Sequence, residues 1–141
     1  MNNNYLKIKD KLTYLKRDLE NVLEEGHNKT FEDGIAYNYV EDLIERLDTA
    51  IYKIEHFSKS VIEGTLQETD GGKFELLDRK GKYVTYFSCG SPIECYVEYD
   101  GDLQWVSGRV EHTTRDGYSG YYFYGGEKPF LYSGMRARVR D

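Results

Sequence analysis

Several shortages in this sequence each remove a class of explanation. No apolar run approaches the ~18 residues that a bilayer-spanning helix needs, so no membrane association is expected. The opening residues, MNNNYLKIKD, hold no apolar signal region. Cysteine occurs only at Cys89 and Cys95, with no framework of further cysteines around them. A reduced, cytoplasmic setting is therefore the expectation, which argues against a disulfide between the two. Zinc needs about four ligands at recognisable spacing. Two cysteines and three scattered histidines do not supply that pattern, so neither a metal nor a cofactor is expected. Positive charge is scarce too: 19 Lys and Arg stand against 25 Asp and Glu, a net charge of −6. A charge-driven nucleic-acid binder would carry the opposite surplus. The balance suits a soluble protein, or one whose target is itself basic.

What is present points to an α+β chain. Aromatic residues make up 15% of it, 14 of them tyrosines, well beyond the content of a disordered chain. Over residues 5–25 the apolar positions Tyr5, Ile8, Leu12, Leu15, Leu19 and Val22 alternate spacings of three and four, one stripe of a helix. Gly26 sits where a helix-ending glycine would sit. After a short linker, His27-Asn28-Lys29, Thr30 precedes Asp33 by three residues, a weak capping box. A second helix follows over residues 31–57, with Ala36, Val40, Leu43, Leu47, Ala50, Ile54 and Phe57 in the same spacing. The two form an antiparallel hairpin, domain 1–58. Its stripe packs on itself, on the rest of the chain or on a second copy, so a homodimer through the hairpin is one expectation.

The period changes from 3.6 to 2 at Ser58–Ser60. Strands are expected over 61–67, 73–77, 82–88, 93–99, 103–112, 120–124 and 136–140, with Gly-containing turns between most of them. They form domain 61–141, a small antiparallel β-barrel, closed or nearly so. The stretch 83–111 organises it. Ile93, Cys95, Val97 and Tyr99 alternate with Glu94, Tyr96 and Glu98, and Asp100-Gly101 supplies a tight hairpin turn. Trp105 or Val106 is buried with Val97, Val110 and Phe123; the choice turns on whether Gly108 marks a bulge that reverses the phase.

The run GSPIECYVEYDGDLQWVSGRV, residues 90–110, resembles the central hairpin of SH3-like barrels of the Tudor kind. Residues 61–140, through GYYFYGGEKPFLYSGMRARVR, are similar to an uncharacterised small domain family of mobile genetic elements and phages of low-GC Gram-positive bacteria. Some accessory proteins of such elements inhibit host CRISPR nucleases. The resemblance thus implies an SH3-like barrel and an anti-CRISPR role, with a CRISPR effector nuclease or its guide-RNA complex as the host partner. It carries over no catalytic residue.

The residues themselves offer little chemistry. A thiol nucleophile needs a nearby base, and no local signature joins Cys89 or Cys95 to a histidine. Gly125-Gly126 lacks the Lys-Ser/Thr of a phosphate loop. Two surface features remain. Glu94, Glu98, Asp100, Asp102 and Glu111 make an acidic edge, read either as a solvated strand face or as a surface that competes for a basic, nucleic-acid-binding groove. Tyr122 and Tyr124, joined by Tyr96 and Trp105, make either an aromatic contact patch or stiffening cross-strand pairs. Arg136, Arg138 and Arg140 share one side of the last strand. They either pair with the acidic strands or form a phosphate-contacting comb. The function expected is that of a non-enzymatic protein-binding accessory factor, a nuclease inhibitor. Its partner-binding residues are Glu94, Tyr96, Glu98, Asp100, Asp102, Trp105, Tyr122 and Tyr124. The alternative is a nucleic-acid-binding regulator acting through the three arginines.

Overall fold

The computed structural model describes residues 1–26 and 30–141. The linker expected at His27-Asn28-Lys29 lies outside them. The chain divides into two compact units, Met1–Lys59 and Ser60–Asp141.

The first unit holds two helices, α1 (Asn3–Glu24) and α2 (Phe31–Ser58). The Asn2 side chain accepts a hydrogen bond from the Asn4 backbone N–H at 2.8 Å and starts α1. Past its end Gly26 adopts φ +64°, the left-handed conformation that glycine takes without steric penalty. The capping box of α2 is complete: Thr30 Oγ1 accepts from Asp33 N–H and Asp33 Oδ2 accepts from Thr30 N–H, both at 3.1 Å. Lys9 pairs with Glu55 at 3.5 Å and Lys16 with Asp48 at 2.6 Å, so partners run in opposite order along the two helices. Leu47 and Ile51 are the buried residues of α2, and α1 has none.

The second unit is one antiparallel sheet of β1 (Val61–Glu68), β2 (Phe74–Asp78), β3 (Tyr83–Tyr86), β4 (Pro92–Tyr99), β5 (Asp102–Thr113), β6 (Gly120–Tyr124) and β7 (Arg136–Arg140). The hydrogen-bonded order is β3-β2-β1-β7-β4-β5-β6. No pairing joins β3 to β6 among the described residues, so the sheet is a curled half-barrel, more open than the closed or nearly closed barrel expected. The last strand lies in its middle. β1 pairs with β7 along five residues, whereas β4 meets β7 only at Glu94↔Arg138 and Cys95↔Ala137.

The concave side is filled by Leu66, Phe74, Leu76, Phe87, Ile93, Cys95, Val110, Phe123, Leu131, Met135 and Ala137, with Val97 and Val106 packed against them. Register runs without a shift from β4 through β5 to β6. Val106, Gly108 and Val110 therefore point inward and Trp105 points outward, which settles the phase in favour of Val106. Gly108 is not a bulge; the sheet's register shift lies on β2, between Leu76 and Leu77. Gly108 is required for another reason. A Cβ there would stand 2.6 Å from Phe123 Cε2 and collide with the Tyr124 carbonyl oxygen. The β4–β5 turn places Asp100 at φ +53° and Gly101 at φ +85°, the two positive values that a two-residue type I′ hairpin demands.

Gly108→Ala should accordingly destabilise the unit by about 1–3 kcal/mol, the usual range for overpacking a filled core. Urea unfolding followed by Trp105 fluorescence measures it. A loss below ~0.5 kcal/mol would mean that the Phe123 ring has room to move.

Candidate functional site

Alternation along β7 sends Ala137 into the core and Arg136, Arg138 and Arg140 to the convex face. There they meet carboxylates from both neighbouring strands. Glu94 of β4 accepts hydrogen bonds from Arg138 Nη2 at 3.1 Å, Arg140 Nε at 2.9 Å and Arg140 Nη2 at 3.2 Å. Glu63 of β1 accepts from Arg136 at 2.7 Å and Arg79 at 3.2 Å. Of the two alternatives for the arginines, the structure shows pairing with the acidic strands.

Aromatic rings complete this surface. Tyr96 and Trp105 are register partners with ring centroids 5.3 Å apart. Arg136 lies 4.5 Å over the Tyr96 ring and Arg138 lies 4.2 Å over Trp105, both within cation–π range. Farther along the same face, Arg109 sits 4.2 Å and Lys128 4.6 Å over Tyr124. Tyr122 stands beside Tyr124 at 6.4 Å, and Arg109 bonds Glu111 at 2.7 Å. Tyr96 and Trp105 are thus half-buried beneath guanidinium groups, not joined to Tyr122 and Tyr124 in one bare patch. The sequence does show rings and arginines at alternate positions. It does not show which arginine lies on which ring, because β7 is far away in the chain.

Glu94 departs most from expectation. Alternation groups it with the exposed acidic edge, and its outward phase is right, yet it is only 6% exposed because Arg138 and Arg140 close over it. Burial pushes its carboxyl up, but hydrogen bonds from Arg140 and Arg138 outweigh that, and the net shift is downward from the ordinary 4.5. Glu94 is therefore an ionised structural group.

Glu98, Asp100 and Asp102 behave differently. All three are exposed at the β4–β5 tip, and no ion pair among the described residues involves them. Two apolar side chains stand out beside them, Tyr99 at 46% and Leu103 at 64% exposed. Leu103 is the register partner of Glu98, and Tyr99 of Asp102. Sequence reasoning missed Tyr99 and Leu103 as surface residues, having placed Tyr99 inward by alternation. At the tip of a hairpin the inward direction no longer meets the core.

Burial pushes the Cys95 thiol up to about 12, so it stays protonated at neutral pH. Cys89 is exposed and free. A groove of about 390 Å³ lies at the other end of the sheet, lined by Ile62, Val84, Phe87, Pro92, Val139 and Arg140 among others. No local pattern signals it, since its walls come from four separate strands and their connections.

Among known families, the model of a domain of unknown function (DUF5348) matches residues 66–139. No curated protein and no solved structure matches the chain.

The Glu94 cluster has a pH signature. A carboxyl whose folded pKa is depressed contributes stability that is present above its unfolded value and lost as pH falls through the folded one. Unfolding free energy should therefore fall on acidification below about pH 4.5. Glu94→Gln should flatten that dependence and cost about 2–3 kcal/mol at neutral pH, less than a fully buried pair because the arginines are partly solvated. Urea titrations at stepped pH test this; an unchanged acid slope in the variant would remove Glu94 as its source.

Proposed function

The chain belongs to the DUF5348 family by the match over residues 66–139, and we propose that it is a non-enzymatic protein-binding accessory factor whose contact surface is the acidic tip of the β4–β5 hairpin. One observation carries this reading. Glu98, Asp100 and Asp102 stand free beside exposed Tyr99 and Leu103, while the arginines of β7 are already engaged by Glu63, Glu94, Tyr96 and Trp105. A tip of this kind suits a basic partner with an apolar notch. The carboxylates steer the approach, and the two apolar side chains supply the desolvated contact that slows departure. A groove built to hold nucleic acid has that basic character. The sequence resemblance to SH3-like barrels of mobile elements makes a host RNA-guided DNA nuclease the target class, with inhibition as the outcome.

The rival reading, a nucleic-acid-binding regulator, needs the arginine comb to be free for phosphates and the rings free for bases. Pairing with carboxylates and stacking of guanidinium groups on the rings weigh against it.

The test uses the full chain immobilised through one terminus, against purified RNA-guided nuclease with and without guide RNA. Reversal of Glu98 and Asp102 to Lys should slow association about tenfold or more and flatten its salt dependence, with the fold intact. Leu103→Asp should instead speed dissociation. Retention of single-stranded nucleic acid by the wild-type chain at moderate salt would overturn the reading, as would an association rate indifferent to the reversals.

A further inference from the structure

We infer that the helical unit self-associates, with a second copy of this chain packing antiparallel along the exposed apolar line of α1. Ile8, Leu15 and Val22 recur every seven residues, which on a 3.6-residue helix gives an almost straight line along one side. They are 45%, 44% and 56% exposed. The line lies on the side of the helix pair away from Lys9 and Lys16, whose bonds to Glu55 and Asp48 occupy the other side. Leu43, 42% exposed, and Ala50 form a second line of the same spacing on α2, on the same side as the first. Among the described residues the two-helix unit fully buries Leu47 and Ile51 and leaves the rest of its apolar pattern partly or largely exposed. A second such unit would complete a four-helix arrangement.

Charge identifies the occupant. Over the first seventeen residues Lys7, Lys9, Lys11, Lys16 and Arg17 stand against Asp10 alone. From Asp18 to Arg46 every charged side chain among the described residues is a carboxylate except Arg46. The unit is therefore basic at its open end and acidic at the end where the helices connect. Parallel stacking of two copies would set like charge on like. Antiparallel stacking sets each acidic end on a basic one, and the chain is its own complement. The residues flanking the apolar line show the same pattern locally. Lys11 and Asp18, seven apart, are exposed and unpaired among the described residues. An antiparallel copy centred on Leu15 sets Ile8 opposite Val22 and Lys11 of each chain within one residue of Asp18 of the other. Flanking charges of this kind set the orientation of paired helices. The contact is isologous, so each pair occurs twice.

Light scattering and sedimentation equilibrium on the full chain test the inference. The wild-type mass should approach twice 16.5 kDa as concentration rises. Lys11→Glu or Asp18→Lys alone should weaken association about tenfold, since each turns two attractive contacts repulsive. An equimolar mixture of the two variants, and the double variant, should regain it to within about threefold. Leu15→Glu should abolish it while helical circular dichroism stays unchanged, because Leu15 is exposed in the single chain. A wild-type mass of 16.5 kDa across the whole series would overturn the inference, as would association that ignores the charge reversals or is not rescued by combining them.

Discussion

The sheet depends on the carboxylate of Glu94. Strand β7, last in sequence, lies between β1 and β4 and, among the described residues, is the only strand hydrogen-bonded to both β3-β2-β1 and β4-β5-β6. On the β1 side the link is a full ladder. On the β4 side it is two residue pairs, one of them Glu94↔Arg138. Two pairs of backbone partners hold little against the conformational entropy of the segments they join. The ion cluster supplies what the short ladder lacks: three hydrogen bonds from Arg138 and Arg140, across 44 and 46 residues of sequence, on a carboxylate nearly closed off from water. A charge in that position is stabilising only while its partners are in place.

The same cluster explains what the sequence could and could not reveal. Elements with a local cause were readable: α1 and α2 from three-four spacing, the capping box from Thr30 and Asp33, the hairpin from Asp100-Gly101, and the extents of β6 and β7 from period-2 alternation. Features set by distant parts of the chain were not. Nothing near Glu94 distinguishes it from Glu98, two turns of the same alternation. One is covered by β7 and the other is left in water, and only the strand order decides which. Gly108 leaves the phase open in the sequence because a glycine inside a strand marks either a bulge or a close approach, and the approaching ring, Phe123, comes from β6. Leu131 and Met135 lie outside any periodic segment, yet both are core. The open edge between β3 and β6 is likewise a fact of pairing that no local pattern encodes.

Charge divides the second unit into two kinds of surface. On the convex face nearly every cation has a carboxylate or ring against it, so positive charge is spent inside the structure and gives little outward field. At the β4–β5 tip the carboxylates have no such partners among the described residues. A net charge of −6 is thus not spread evenly; part of it is concentrated where two apolar side chains also protrude. Burying apolar area costs little beyond ordering, whereas the neighbouring carboxylates favour partners that can compensate them. A partner docking on this tip would be selected by charge first and by fit second.

The helical unit follows another logic. Its charge is segregated end to end, and its apolar line is straight, so the surface that complements it best is its own inverted copy. Self-association of that kind changes the meaning of the tip. A small contact made by a hairpin turn is individually weak, because little area is buried against the loss of translational freedom. Two tips carried by one assembly convert the second contact into an intramolecular event at raised effective concentration, provided the target offers two sites within reach. Weak tips are then sufficient against a multi-site target and insufficient against a lone basic patch. Discrimination between those two classes of partner would come from the pairing of α1 with its copy and not from any further residue at the tip.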